Sequence, residues 1–202
     1  MTTLRILGID PGTIVVGWAC IELDERGPRN GHAGNGVREV RAPLAARAAN
    51  LVRKTARSDT LRLLEAGALR LGRGLPIEAR LARLCVELEA WIERFAPQEL
   101  AIEEAFHGKS PQAALRIGEA RGVVLATAHR AGLAVHQFAP ATIKRRVTGS
   151  GRAEKDVVAR MALTELGAGP LAGPADAGDA VAVAFCRAQE RQSPLAALTA
   201  SR

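Results

Sequence analysis

The chain has no tyrosine, and two tryptophans and four phenylalanines leave aromatics at 3% of its 202 residues. An interior built on large rings is thereby excluded. With 48% hydrophobic residues, a core must be filled by Ala, Leu, Val and Ile. The three cysteines, Cys20, Cys85 and Cys186, are odd in number and far apart. That excludes zinc-ribbon spacing and a disulfide framework, and predicts buried free thiols in a reducing compartment. No apolar run approaches the ~20 residues that cross a bilayer. The stretch from Met1 to Gly8 lacks the length and cleavage region of a signal peptide, so the chain reads as cytoplasmic, with no membrane partner. Negative charge is also in short supply. Twenty-one acidic residues face 28 basic ones, a formal net charge of +7. Such a balance suits a polyanionic partner, nucleic acid first, although scattered solvated arginines give the same total. Position must decide.

Leu4 to Ile9 is a short apolar run ending in Asp10-Pro11-Gly12, a buried strand followed by a turn. Val15 to Leu23 reads as a second strand. Arg26 to Asp59 shifts to Gly, Asn, Ala and Arg and reads as an insertion within one domain spanning 1–192. Gly27 to Gly36 is loop-like and Pro43 to Arg57 suits a basic helix. The insertion is either an unstructured loop or a basic arm that grips nucleic acid. Leu61 to Leu71 returns to strand character, with Gly67 marking a bulge. Pro76 opens a helix to about Ala96, with Ile77, Leu81, Leu84, Leu88 and Ile92 on one face. Glu99 to Ala105 is a strand, Pro111 to about Ala131 a helix closed by Gly132, and Ala134 to Phe138 a strand. Pro140 opens a short basic helix through Lys144, Arg145 and Arg146. Helices over Ala153–Leu166 and Asp176 to about Glu190 follow, and 193–202 reads as a tail. This order, three strands and then alternation, predicts an α/β layer structure. Its first three strands form a meander, and the later two run parallel to the first.

Four acids stand out by position. Asp10 ends the first strand. Glu103 lies within the fourth, on the same face as Ala101. Asp176 and Asp179 open the last helix at i and i+3, on one side. Singly, each has an ordinary reading: the strand acids pair with Lys or Arg, and Asp176 caps its helix. Together they can converge only if the first and fourth strands are neighbours. Converging carboxylates need cations. A set of hard oxygens without His or Cys suits Mg²⁺, or Mn²⁺ as an alternative, and a pair of such ions is a recurrent device for cutting phosphodiesters.

The segment Gly8-Ile9-Asp10-Pro11-Gly12-Thr13 resembles the opening strand and turn of the RuvC family of Holliday-junction resolvases. Ala101-Ile102-Glu103-Glu104-Ala105-Phe106, with Lys109, resembles that family's second acidic block. Gly118-Glu119-Ala120-Arg121-Gly122, Gly151-Arg152-Ala153-Glu154-Lys155 and Asp176-Ala177-Gly178-Asp179-Ala180 are similar to further blocks, in the family's order. The resemblance covers about three quarters of the chain. It implies a ribonuclease-H-like fold, a five-stranded mixed sheet flanked by helices. It also implies a homodimeric crossover junction endodeoxyribonuclease that nicks a four-way DNA junction symmetrically in recombination and repair, with a branch-migration helicase as partner.

By the same resemblance Asp10, Glu103, Asp176 and Asp179 are the catalytic, metal-binding tetrad for two Mg²⁺ ions. Phe106 matches an aromatic that stacks at the junction centre, and Lys144 and Lys155 match basic residues near the scissile phosphate. With Lys109, Arg145 and Arg152 they make up the expected DNA-binding set; Arg116, Arg121 and Arg146 suit either DNA or plain solvation. His129 and His136 read as structural, and His107 as a phosphate contact. Gly178 stands where the family often has Ala, at a cost of no more than about 1 kcal/mol of helix propensity. Three rival readings stay open: an actin-like phosphotransfer protein, a non-catalytic junction binder, and a ribonuclease-H-like nuclease acting on RNA–DNA hybrids.

Overall fold

The structure is a computed structural model that describes residues 3–25, 60–104 and 111–193. Five strands, β1 (Thr3–Asp10), β2 (Val15–Asp24), β3 (Leu61–Arg70), β4 (Glu99–Glu103) and β5 (Ala134–Phe138), form one sheet in the order β3-β2-β1-β4-β5. The first three pair antiparallel as a meander, while β4 and β5 run parallel to β1. Five helices complete the order: α1 (Ile77–Phe95), α2 (Pro111–Arg130), α3 (Pro140–Thr148), α4 (Lys155–Glu165) and α5 (Asp176–Gln192). The expected five-stranded mixed α/β sheet is therefore present.

Strand parity divides the core into two layers. Leu4 and Ile6 of β1, Ala19, Ile21 and Leu23 of β2, and Ala101 of β4 pack with α3, α4 and α5. Their neighbours Leu7, Ile9, Val16, Cys20, Leu100 and Ile102 pack with α1 and α2 on the other face. This explains why β1 reads as a continuous apolar run: a central strand is covered on both sides. Helix α5 is buried from Ala177 to Ala188 except at Asp179, and its Ala-, Gly- and Val-rich composition lets it lie close to the sheet. The scarcity of aromatics in the sequence is matched by this small-residue layer.

Several details differ from the sequence reading. The β2–β3 register shifts between Cys20, opposite Glu65, and Ile21, opposite Leu63. The bulge is therefore at Leu64 rather than Gly67. Gly67 instead lies opposite Trp18, and a Cβ there would stand 3.0 Å from the indole. That indole stacks on Trp91 of α1, ring centroids 5.0 Å apart, so Gly67 makes room for the main aromatic contact of this layer. Cys20 and Cys186 are buried, whereas Cys85 is half-buried, its Sγ 3.4 Å from Thr127 Oγ1 of α2. Gly178 is buried, and a Cβ on it would approach the Ala159 Cβ to 2.8 Å. The helix propensity lost at Gly178 is thus offset by close packing of α5 on α4.

At the end of the sheet where β4 begins, Arg187 of α5 donates two hydrogen bonds to Glu99, at 2.8 and 3.0 Å, and one to Glu190 at 2.7 Å. Burial alone would push the Glu99 carboxyl up, but the Arg187 hydrogen bonds and charge hold it below the usual carboxylate value. A depressed pKa means stability that is complete above the ordinary value of 4.5 and is lost as the pH falls through the lowered one. Arg187→Met strands Glu99 in the interior and should cost about 3–5 kcal/mol in urea unfolding at pH 7. The difference from wild type should shrink at acid pH, where Glu99 takes up a proton.

Candidate active site

Even-numbered residues of β1 face α5, so the parity that buries Leu4 and Ile6 in that layer also turns Asp10 toward it. In the parallel pairing of β1 with β4, Gly8 stands opposite Ala101 and Ile9 opposite Ile102. One step further on, the two strand ends place Asp10 and Glu103 side by side. Across the antiparallel pairing, Asp10 lies opposite Gly17 of β2. The first turn of α5 rests on that glycine: a Cβ at Gly17 would fall 1.9 Å from the Asp176 carbonyl oxygen. One turn on, a Cβ at Gly8 would fall 2.4 Å from the Ala180 carbonyl oxygen. The two glycines let the α5 backbone touch the sheet and thereby carry Asp176 and Asp179 to Asp10 and Glu103.

Asp176 does not cap its helix. Ala175 holds the cap position, without a side-chain cap hydrogen bond. The capping reading of Asp176 therefore falls away, while its place with Asp179 in the first turn still suits the helix dipole. Asp10 lies in the field of the other three acids. Burial pushes the Asp10 carboxyl up to about 7, with the charges of Asp179, Glu103 and Asp176 adding to the rise and Lys155 opposing it. Burial likewise raises Glu103, where Lys155 pulls against the field of Asp179. Lys155, the first residue of α4, donates from Nζ to Asp179 Oδ2 at 2.9 Å. Burial works against its ammonium, but that hydrogen bond and the neighbouring carboxylates hold it above the usual lysine value. Lys144 and Arg121 also draw Glu103 down, yet burial and Asp179 still leave it raised.

The donor set is all carboxylate oxygen, the chemistry that hard divalent cations prefer, and its uncompensated charge fits such an ion. Among the described residues no three His, Cys, Asp or Glu side chains stand ready-grouped to hold a metal ion.

Beside the acids lies a cavity of about 410 Å³ lined by Glu103, Lys144, Lys155 and Asp179, with Ile143 and Val183 at its apolar wall. Lys144 comes from α3, whose end is set by Gly149 in the left-handed conformation (φ 80°). Arg145 and Arg152 are exposed nearby in sequence, on α3 and in the turn before α4. Arg146 turns away and donates to Glu190 at 2.9 Å.

Arg121, read from sequence as solvated or DNA-facing, is only 8% exposed. It donates to the Glu103 carbonyl oxygen and, at 2.6 Å, to Gln137 Oε1 of β5. It acts as an anchor that fixes the end of β4 from the opposite side of the sheet. Nothing in the local sequence marks it, because both partners come from other elements. Arg80 of α1 plays a similar part, donating to the Thr13 carbonyl oxygen at 2.8 Å and fixing the turn after Asp10. His136 lies 3.7 Å from Glu99, in the structural cluster at the far end of the sheet. Phe106, His107, Lys109 and the 26–59 insertion lie outside the described residues.

A family model described as crossover junction endodeoxyribonuclease RuvC matches residues 45–187. A protein of that name from Chloroflexus aurantiacus is 37% identical over 185 residues, spanning 92% of this chain and 93% of its own length. One from Anaeromyxobacter dehalogenans is 44% identical over 142 residues, spanning 70% of this chain and 75% of its own length. Among solved structures, RuvC of Thermus thermophilus superposes with a TM-score of 0.69 at 25% identity, covering 94% of this chain and 96% of that one. The same protein in complex with a Holliday junction substrate gives 0.69 at 22% identity, covering 94% and 97%.

The raised Asp10 pKa has a consequence for the metal-free protein. Between the ordinary value of 3.8 and about 7, the folded state holds a proton at this carboxyl that the unfolded state has released. Stability therefore falls as the pH rises through that window. Asp10→Asn should remove this slope and raise the unfolding free energy at pH 8 by roughly 1–3 kcal/mol in EDTA. Parallel pH–stability curves for the two proteins would show that Asp10 is not under like-charge strain.

Proposed function

The chain belongs to the RuvC family of crossover junction endodeoxyribonucleases, and on that footing we propose that it resolves Holliday junctions by metal-dependent hydrolysis of phosphodiesters in two strands of like polarity. The observation that carries this reading is the placement of Asp10, Glu103, Asp176 and Asp179 at one end of β1, β4 and α5, beside a cavity with two lysines. Such a site is suited to bring cations and a phosphate together.

The four carboxylates would hold the metal, two Mg²⁺ ions or Mn²⁺ in their place. When bound, these ions supply an activated water and charge stabilisation at the leaving oxygen. The chain's own residues do the rest. Asp10, beside Glu103 and the start of α5, would be one of the residues that hold the metal. Arg121 and Arg80 hold the two strand ends rigid. Lys155 and Lys144, which line the cavity, would donate to the scissile phosphate.

Arg145 and Arg152 extend the cationic edge along the bound strand, and glycines at 149 and 151 let a phosphate backbone approach. Phe106 and Lys109 complete this reading as the stacking wedge and its neighbouring phosphate contact, on the strength of the family resemblance. A homodimer would set two such sites against the two strands, and a branch-migration helicase is its expected partner. The insertion at 26–59 is proposed as a basic arm on the outer DNA. No helix among the described residues is long and apolar enough to cross a membrane, and the cytoplasm is the compartment proposed.

The test is cleavage of an end-labelled synthetic four-way junction, in Mg²⁺ and in EDTA, beside linear duplex and RNA–DNA hybrid. Paired symmetric nicks in the junction alone, lost in EDTA, are the expected result. Asp10→Asn should reduce nicking by at least about 10³-fold while junction affinity stays within a few-fold of wild type, since less negative charge then faces the phosphate. Nicking near the wild-type rate would overturn the assignment of the tetrad. Tight junction binding without nicks from the wild-type chain would make it a binding module.

A further inference from the structure

The cavity beside the acids is a cleft between two helices. Pro140, Ile143 and Lys144 of α3 form one side, and Asp179, Ala182 and Val183 of α5 lie on the other. The place of Lys144 in it therefore depends on how α3 sits against α5. Helix α3 has only nine residues, too few to hold a short helix in place without tertiary contacts. Ile143 and Val147, four apart, bury it in the core layer of α5. Apolar contact is non-directional, so it keeps α3 on the core without fixing its rotation. Each residue step along a helix is about 100°, so a modest rotation of α3 carries Lys144 out of the cavity.

Arg146 supplies the missing direction. It lies three residues from Ile143, on the same side of α3, and donates from Nη2 to Glu190 Oε1 of α5 at 2.9 Å. The two side chains are 33% and 31% exposed. Glu190 is itself held in place. Its Oε2 accepts from Arg187 Nη1 at 2.7 Å, and Arg187 is fastened to Glu99 at the start of β4 by two further hydrogen bonds. Alternating charges thus run from the sheet, through α5, to α3. None of these four residues lines the cavity.

We propose that Arg146 and Glu190 are positioning residues for cleavage: their ion pair fixes the rotation of α3 against α5 and so holds Lys144 in the cavity beside the acids. The inference rests on reading that cavity as the place where a phosphodiester is cut. A charge-assisted hydrogen bond is short and directional, and this one leaves α3 two residues after Lys144. Arg145 and Arg152 present their side chains to solvent, as arginines kept for DNA would. Arg146 instead engages a carboxylate that is already anchored to the sheet.

The experiment combines single-turnover cleavage of a labelled four-way junction in Mg²⁺, at saturating protein, with lysine labelling of the DNA-free chain. Arg146→Met should lower the rate about tenfold, and Arg146→Lys, which keeps a cationic donor for Glu190, should hold the loss to about threefold. Glu190→Gln should lower the rate as well. In a Lys144→Met background, Arg146→Met should cause no further loss, because two residues that act through one amine are not additive. A general loss of stability, or a direct phosphate contact by Arg146, would instead multiply with the loss from Lys144→Met. Circular dichroism at the assay temperature checks that each variant is folded. If Arg146→Met is not, the same cycle is run with Glu190→Gln.

Lys144 is one of four lysines in the chain. Limited acetylation, read by mass spectrometry against Lys155, should modify Lys144 at least about threefold faster in Arg146→Met than in wild type, since a side chain released from its packing is more accessible. A wild-type cleavage rate in folded Arg146→Met, multiplicative losses in the double variant, or an unchanged acetylation ratio would overturn the proposal. If the wild-type chain cuts no four-way junction, the reading of the site fails. The acetylation ratio then decides by itself whether Arg146 holds Lys144 in place.

Discussion

The close approach of α5 to the sheet governs everything else in this molecule. Two positions, Gly8 on β1 and Gly17 on β2, have no side chain, and the carbonyl oxygens of Ala180 and Asp176 occupy the space where a Cβ would stand. Any larger residue would lift the helix. Its first turn would then leave Asp10 and Glu103, and the layer of α3 and α4 above it would lose its floor. The same helix is held at its other half by Arg187 on Glu99, so it is fastened to the sheet at two ends by different physics: backbone contact at the acidic end and a buried ion pair at the basic end. The direction agrees with the helix dipole, which favours carboxylates at the start and guanidinium groups toward the finish.

Seating four carboxylates in one place is unfavourable, and the surrounding structure shows how the strain is carried. Asp10 sits with its carboxyl raised to about 7 by burial and by the other three acids. Among the described residues Lys155 supplies a direct counter-charge, through Asp179. A cluster of converging carboxylates of this kind suits a cation. Its stability is weakest when it is empty, and ordinary cores avoid such an arrangement. The burden is tolerable because the rest of the domain is packed to compensate, through an apolar central strand covered on both faces, the Trp18–Trp91 stack and the close α4–α5 contact at Gly178.

Much of this was legible in the residues. Asp10 at the end of an apolar run, Glu103 on one face of a short strand, and Asp176 and Asp179 at helical spacing follow from periodicity and turn chemistry. The meander of the first three strands and the parallel run of the last two follow from the order of elements, while the pairing of β1 with β4 was required only for the acids to converge. Family likeness then gave the cluster its purpose. What was not legible depends on contacts between elements distant in the chain. Arg121 looks solvated in its own sequence window, yet its partners lie 18 and 16 residues away in β4 and β5. Gly67 looks like a bulge until Trp18 is known to lie opposite it. Gly178 looks like a defect in a helix until Ala159 is known to touch it. Arg146 suits either DNA or plain solvation in a basic helix, but Glu190 of α5 engages it. Local pattern shows which residues are unusual, and only packing shows what faces them.

The central claim is that the bare glycines under α5 create the metal site, and calorimetric titration of Mn²⁺ into the DNA-free chain tests it most directly when wild type is set beside Gly17→Ala. A Cβ at that position meets the Asp176 carbonyl oxygen at 1.9 Å, so the first turn of α5 must shift away from Asp10. The account predicts that the variant keeps its far-ultraviolet circular dichroism and a cooperative unfolding transition but binds Mn²⁺ at least about tenfold more weakly. Equal Mn²⁺ affinity in a folded Gly17→Ala protein would contradict it.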